Sequence, residues 1–162
     1  MLEIQTDFSI LITDDDRGIR EALRDIVEAK GFQSHLAASG EEALEIVQAQ
    51  PIHLALLDMN MPGLTGLETL QLVRQINALL PAILITADAT AELMRRAFLA
   101  HVFSVIPKPV GKEMVMTTVI RALVRTYGPS EDRHDSNPHT KESRSDESGP
   151  SQRQDPGRTP RS

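Results

Sequence analysis

The run Ile52-His53-Leu54-Ala55-Leu56-Leu57-Asp58-Met59-Asn60-Met61-Pro62-Gly63 constrains the fold of this 162-residue chain more than any other stretch. A short apolar run bounded by turn residues suits a strand buried on both faces. Pro62-Gly63 is a turn dipeptide, in which proline presets φ and glycine accepts a positive φ. Asp58 is therefore expected at the carboxyl end of a central strand, where the chain leaves the sheet. In open parallel α/β sheets, ligands bind outside those strand ends. A carboxylate there is also an ordinary turn or capping residue, so the rest of the chain must decide.

Phe8 to Thr13 is a second apolar run, expected as strand 1, and it ends in Asp14-Asp15-Asp16. From Ile19 the period changes. Ile19, Leu23, Ile26 and Val27 fall on one helical face, with Arg20, Arg24 and Asp25 off it. Lys30-Gly31 is a helix stop, and Phe32 to Ala37 is a weaker strand 2. Ser39 followed by Glu42 has the spacing of a capping box for helix 2, which Pro51 ends. After strand 3, helix 3 is expected from about Thr65, with Leu67, Leu70, Val73 and Ile76 as its buried stripe. Ala82 to Thr86 reads as strand 4, Ala89 to Ala100 as helix 4, Val102 to Ile106 as strand 5, and Lys112 to Tyr127 as helix 5. Five strands alternating with five helices predict a doubly wound, flavodoxin-like (βα)5 fold, a five-stranded parallel sheet in the order 2-1-3-4-5.

Composition sets the limits. Aromatic residues make up only 3% of the chain and Trp is absent, so the core must be aliphatic. A net charge of −6 argues against non-specific nucleic-acid binding through a basic face. With no cysteine, disulfides and thiolate metal sites are excluded, which fits a reducing cytosol. No apolar run is long enough to span a bilayer, and the first residues do not read as a signal peptide. A cytoplasmic location is expected, with no membrane contact. From Gly128 to Ser162 no aliphatic or aromatic residue occurs. Such a segment cannot offset an ordering entropy of roughly 1–2 kcal/mol per residue. The division expected is a folded domain over 1–127 and a disordered polar tail over 128–162, with no second folded domain.

In a parallel sheet the carboxyl ends of the strands share one edge. That edge would carry Asp14, Asp15 and Asp16 from strand 1, Asp58 from strand 3, Thr86 from strand 4 and Lys108 beyond strand 5. Each has a bland reading on its own: solvated turn, strand residue, surface charge. Four strand ends agreeing favours a site. Clustered carboxylates repel, and one would take up a proton. A divalent cation relieves the conflict, and Mg²⁺ prefers one or two carboxylates with water and phosphate oxygens. Lys108 adds positive charge for an anion, and Thr86 adds a donor. These are the parts of phosphoryl transfer, in which a carboxylate can serve as the nucleophile.

The chain at this point resembles the receiver domain of bacterial response regulators. The matching pieces are Ile10-Leu11-Ile12-Thr13-Asp14-Asp15-Asp16, Leu56-Leu57-Asp58-Met59-Asn60-Met61-Pro62-Gly63, Ile85-Thr86-Ala87 and Lys108-Pro109, in matching order and spacing over about residues 8–126. The resemblance implies a single-domain signalling protein of a two-component system, not an enzyme. Asp58 would take a phosphoryl group from a sensor histidine kinase or phosphotransfer protein. Asp15, Asp58 and the backbone carbonyl of Asn60 would bind Mg²⁺ directly, and Asp14 would act through water. Lys108 would pair with the phosphoryl group, Thr86 would swing toward it, and Lys108-Pro109 would be a cis peptide. Output would be contact with another protein through helix 4, strand 5 and helix 5, with no direct DNA binding.

The chain departs from the family pattern in places. The aromatic residue usual three positions before the lysine is replaced by Val105. Phe103 lies two residues earlier, on the same face if strand register holds. Pro107 precedes the lysine, and Arg17-Gly18 follows the aspartates. Loss of the switch aromatic leans toward a phosphate carrier or sink in a phosphorelay. A further alternative is an aspartate-nucleophile phosphatase of the haloacid dehalogenase type, suggested by Asp14-x-Asp16. That pattern would continue with Thr or Val where this chain has Gly18, and there is no room for a cap domain.

Overall fold

The computed structural model describes residues 7–129. The tail expected over 128–162 lies outside them beyond Pro129. The elements are β1 (Ser9–Thr13), α1 (Arg17–Ala29), β2 (Gln33–Ala37), α2 (Gly40–Ala49), β3 (Leu54–Asp58), α3 (Gly66–Val73), β4 (Ala82–Thr86), α4 (Ala91–Leu99), β5 (Ser104–Pro107) and α5 (Lys112–Tyr127). All strand pairs are parallel, in the order β2-β1-β3-β4-β5, as the alternation of strand and helix patterns predicts.

Alternation along the strands divides the core in two. Ile10, Ile12, Leu54, Leu56, Ile83 and Ile85 pack with Leu23 and Val27 of α1 and Val119 and Leu123 of α5. Leu11, Ala55, Leu57, Ala82 and Leu84 point the other way, to Val47, Leu70, Val73 and Leu93 of α2, α3 and α4. A strand covered on both faces must be apolar at every position. This explains why β1, β3 and β4 read as unbroken runs, whereas β2, at the sheet edge, is partly exposed.

Local chemistry sets the element ends. Lys30 and Gly31 close α1 as a Schellman motif: the Gly31 N–H bonds Glu28 O, Phe32 N–H bonds Val27 O, and Gly31 takes φ +97°. Ser39 caps α2, but Glu42 reaches the N–H of Ala38 at 2.6 Å and not that of Ser39. The reciprocal capping box forms instead on α3, between Thr65 and Glu68. α4 begins two residues later than its pattern suggests, because Thr90 caps it through the N–H of Leu93.

The stripe expected on α3 is one residue too long. The helix ends at Val73, and Ile76 is 45% exposed. Arg74 is the reason: its guanidinium donates to Leu80 O, Ala100 O and His101 O, turning the chain toward the start of β4 and the end of α4. At the amino edge of the sheet Phe8 stacks on Tyr127 at 5.4 Å and meets His53 edge-on at 5.1 Å. The Tyr127 hydroxyl donates to His53 O at 2.8 Å, so the last residue of α5 is fastened to β3's approach.

Candidate functional site

Three chain segments converge at the carboxyl edge. Where β1 ends, the Asp14 N–H continues the ladder to Ala37 O, and Asp14 Oδ1 accepts from the N–H of Asp16 at 2.9 Å. Asp14 is buried, and its Oδ2 has no hydrogen-bond partner. Asp15 is exposed. Asp16 caps α1 by accepting from Ile19 N–H. The carboxylate of Asp16 is thereby a helix cap, which takes away the second member of the Asp14-x-Asp16 phosphatase pattern.

Asp58 is the last residue of β3, opposite Ile85, and only 3% exposed. Its Oδ1 accepts from Asn60 N–H at 3.2 Å. Behind it stands Gly66, the first residue of α3, whose N–H bonds Met59 O. A Cβ at Gly66 would come within 2.6 Å of Asp58 O and 3.0 Å of Met59 Cα, so only glycine fits. Gly63, at φ +81°, completes the turn that Pro62-Gly63 predicts.

Lys108 reaches both carboxylates. Its Nζ lies 3.2 Å from Asp14 Oδ2 and 3.4 Å from Asp58 Oδ1. The first contact is an ion pair outside hydrogen-bond geometry, since Asp14 Oδ2 remains without a bonded donor. The Lys108 N–H donates to Thr86 O at 2.7 Å, and the peptide to Pro109 is cis. Thr86 is buried, but its hydroxyl is engaged by the loop after β4, accepting from Asp88 N–H at 3.1 Å. Of the expected set, Asp14, Asp15, Asp58 and Lys108 come together. Asn60 joins through its backbone N–H, and Thr86 ends the neighbouring strand with its hydroxyl bonded to the Asp88 backbone.

Burial, and after it the Asp14 charge, push the Asp58 carboxyl up to about 6, with the Asn60 N–H and Lys108 opposing without cancelling. Burial alone would lower Lys108, but the two carboxylates outweigh it and hold its ammonium above the ordinary value. Two carboxylates thus share one ammonium, and the exposed Asp15 adds a third acid to a cluster short of positive charge. One oxygen from each of Asp14, Asp15 and Asp58 lies within 4.8 Å of the others. Oxygens on opposite sides of a six-coordinate Mg²⁺ are about 4 Å apart. The oxygen donors, their spacing and the buried bare Oδ2 of Asp14 all suit such an ion.

Two supporting residues have only faint sequence signals. Gly66 sits at a first helical turn where propensity would favour almost anything else. Arg20 Nη1 donates to Asp14 O at 2.7 Å. The switch position differs from expectation. Val105 packs toward the α2–α3–α4 side, whereas Phe103 packs on the α1–α5 side. The chain bends at Phe103 and β5 starts only at Ser104, so the alternation that would put both residues on one face does not extend back to it. Two clefts, of about 740 and 780 Å³, lie at the opposite, amino edge; Phe103 lines the first, and neither includes Asp14, Asp15, Asp58, Thr86 or Lys108.

A doubly wound sheet with clustered aspartates and a lysine at its carboxyl edge is the arrangement of a phosphoryl-transfer site. The family model of the response regulator receiver domain matches residues 10–120, and the chain belongs to that family. It is 33% identical over 123 residues to the response regulator MprA of Mycobacterium avium, covering 76% of this chain and 54% of that one. It is also 34% identical over 113 residues to the sensor histidine kinase RcsC of Escherichia coli, covering 70% of this chain and 12% of the kinase. The chain spans about half the length of the MprA proteins it matches. A receiver domain crystal structure (CheY-like) from Methanospirillum hungatei superposes with a TM-score of 0.71 at 26% identity, covering 75% of this chain and 97% of that one. The chemotaxis protein CheY4 of Vibrio cholerae gives 0.69 at 26% identity, covering 73% and 100%. Receiver domains of two-component systems are phosphorylated on aspartate, bind Mg²⁺ through acidic residues, and interact with histidine kinases and phosphotransfer proteins. Among the described residues no helix is long and apolar enough to cross a membrane.

Proposed function

We propose that Asp58 is the phosphoacceptor and that residues 1–127 form the receiver unit. An Asp58 oxygen attacks the phosphorus of a phosphohistidine. The new P–O bond forms as the P–N bond breaks, and the imidazole leaves with the electron pair and takes a proton. Asp15, Asp58 and the Asn60 carbonyl, with Asp14 through water, would hold Mg²⁺, which would supply positive charge to neutralise the phosphoryl oxygens. Lys108 turns from the carboxylates to the phosphoryl oxygens, and Thr86 exchanges its bond to the Asp88 backbone for one of them. The protein then signals by protein contact in the cytoplasm.

The observation that carries this reading is the buried Asp58 at a strand end, sharing the Lys108 ammonium with the Asp14 carboxylate. Incubation with labelled acetyl phosphate and Mg²⁺ tests it: wild type should incorporate label and Asp58→Asn should not. Undiminished incorporation by the variant overturns the assignment.

A specific observation favours a second reading, a phosphate carrier or sink. Val105 is short and stiff at χ1, and Phe103 faces the other side of the sheet, so neither supplies a ring that can follow Thr86. A partner that binds the phosphorylated form selectively supports the switch. Transfer onward to a histidine without selective binding supports the carrier.

A further inference from the structure

We propose that Arg20 is a positioning residue for the cation site, holding the main chain between Asp14 and Asp15 in the geometry that brings their carboxylates together. The inference rests on the Mg²⁺ reading above. Arg20 Nη1 donates to Asp14 O at 2.7 Å from a half-buried position on the first turns of α1.

Asp14 is tied at three of its polar atoms. Its N–H bonds Ala37 O, its Oδ1 accepts from Asp16 N–H, and its carbonyl accepts from Arg20. Only Oδ2 is left, buried and without a donor, and it is the oxygen beside Lys108. The carbonyl tie acts on the next residue as well. The peptide unit is planar, so fixing the direction of Asp14 O fixes the Asp15 N–H and the Asp15 Cα. Arg20 therefore governs how a buried carboxylate and an exposed one are disposed toward each other, and it does so without touching either.

Local preference does not explain an arginine here. The amino end of a helix repels cations, yet α1 carries Arg17 and Arg20 there and no acid in its first turn. Arg17 is answered by Glu21 at 2.8 Å. Arg20 makes no ion pair among the described residues, and its side-chain bond goes to the Asp14 carbonyl. A residue placed against its local preference and held by one bond back to the end of the preceding strand points to a role in that contact. Arginine also suits the task better than lysine, since its planar fork orders a carbonyl with less loss of freedom and never gives up its charge.

The test uses the full chain, Arg20→Met and Arg20→Lys, with Mg²⁺ as the probe in titration calorimetry. Melting temperatures and amide exchange at Asp15 and Asp16 are measured without metal. Arg20→Met should bind Mg²⁺ about tenfold more weakly, the size of effect seen when a group supporting metal ligands is lost. The Asp15 and Asp16 amides should exchange faster without metal, and Arg20→Lys should recover part of the affinity. Wild-type Mg²⁺ affinity in Arg20→Met overturns the proposal, whether or not its melting temperature falls. Should Arg20→Met not fold, wild-type affinity and exchange in Arg20→Lys overturn it equally. Asp15→Ala separates the two levels: if it titrates like wild type, the cation site itself is wrong and both readings fall. A weakened Asp15→Ala beside an unaltered Arg20→Met removes the Arg20 role alone.

Discussion

Asp58→Asn should stabilise the metal-free protein at neutral pH. The folded environment raises the Asp58 carboxyl from 3.8 to about 6, chiefly by burial and then by the Asp14 charge. The folded state therefore binds this proton more tightly than the unfolded chain does. Stability from this group is fully present at about pH 4 and below and is lost as pH rises through about 6, an effect of about 3 kcal/mol. Asparagine has the shape of the neutral acid and can still accept from Asn60 N–H. It should recover most of the loss, about 2 kcal/mol, or roughly 5–10 °C in a domain of this size. The assay is far-UV circular dichroism melting in chelator. The variant should melt higher at about pH 7.5, and the gap should close at about pH 4 as wild-type Asp58 takes up its proton. Mg²⁺ should raise the wild type by mass action and the variant much less. An Asn variant melting at or below wild type at neutral pH in chelator refutes the reasoning, because Lys108 would then be compensating the buried charges.

Other perturbations follow from single contacts. Gly66→Ala places a Cβ 2.6 Å from Asp58 O. It should cost about 1–3 kcal/mol and slow phosphorylation; a variant with wild-type melting and rate would show that the strand end moves freely. A chain ending at Tyr127 should fold and accept phosphate at the normal rate, since the Phe8, His53 and Tyr127 contacts close the domain there; loss of solubility or rate counts against that boundary. A phosphoryl mimic should slow amide exchange mainly over Asn60 to Thr65 and Asp88 to Thr90. A large change centred on Phe103 would contradict this, and would give that ring the role Val105 cannot fill.

Residues whose environment follows from chain-local rules were legible in the sequence. The runs of β1, β3 and β4 are apolar because both faces are covered, and the strand-end rule then brought Asp14, Asp58 and Lys108 together. α5 has the same bounds in pattern and structure. Contacts between distant segments were not legible. Periodicity extends the α3 stripe to Ile76 because it cannot register Arg74 bonding across to Ala100 and His101. Strand register puts Phe103 beside Val105 because it cannot foresee a bend before Ser104. Gly66 and Arg20 act through the backbones of Asp58 and Asp14, which no spacing rule reports. The direction of the Thr86 hydroxyl depends on the loop after β4 and not on its strand.

The central claim is that the phosphoryl group is carried by Asp58, and locating the acyl phosphate tests it most directly. The protein is phosphorylated with acetyl phosphate and Mg²⁺, reduced with borohydride to convert the phosphorylated aspartate to homoserine, and digested for peptide mass spectrometry. The modification should appear in the peptide containing Leu56-Leu57-Asp58-Met59, at Asp58 and nowhere else. Modification at Asp14 would contradict the receiver mechanism and restore the aspartate-nucleophile phosphatase as the reading of this site.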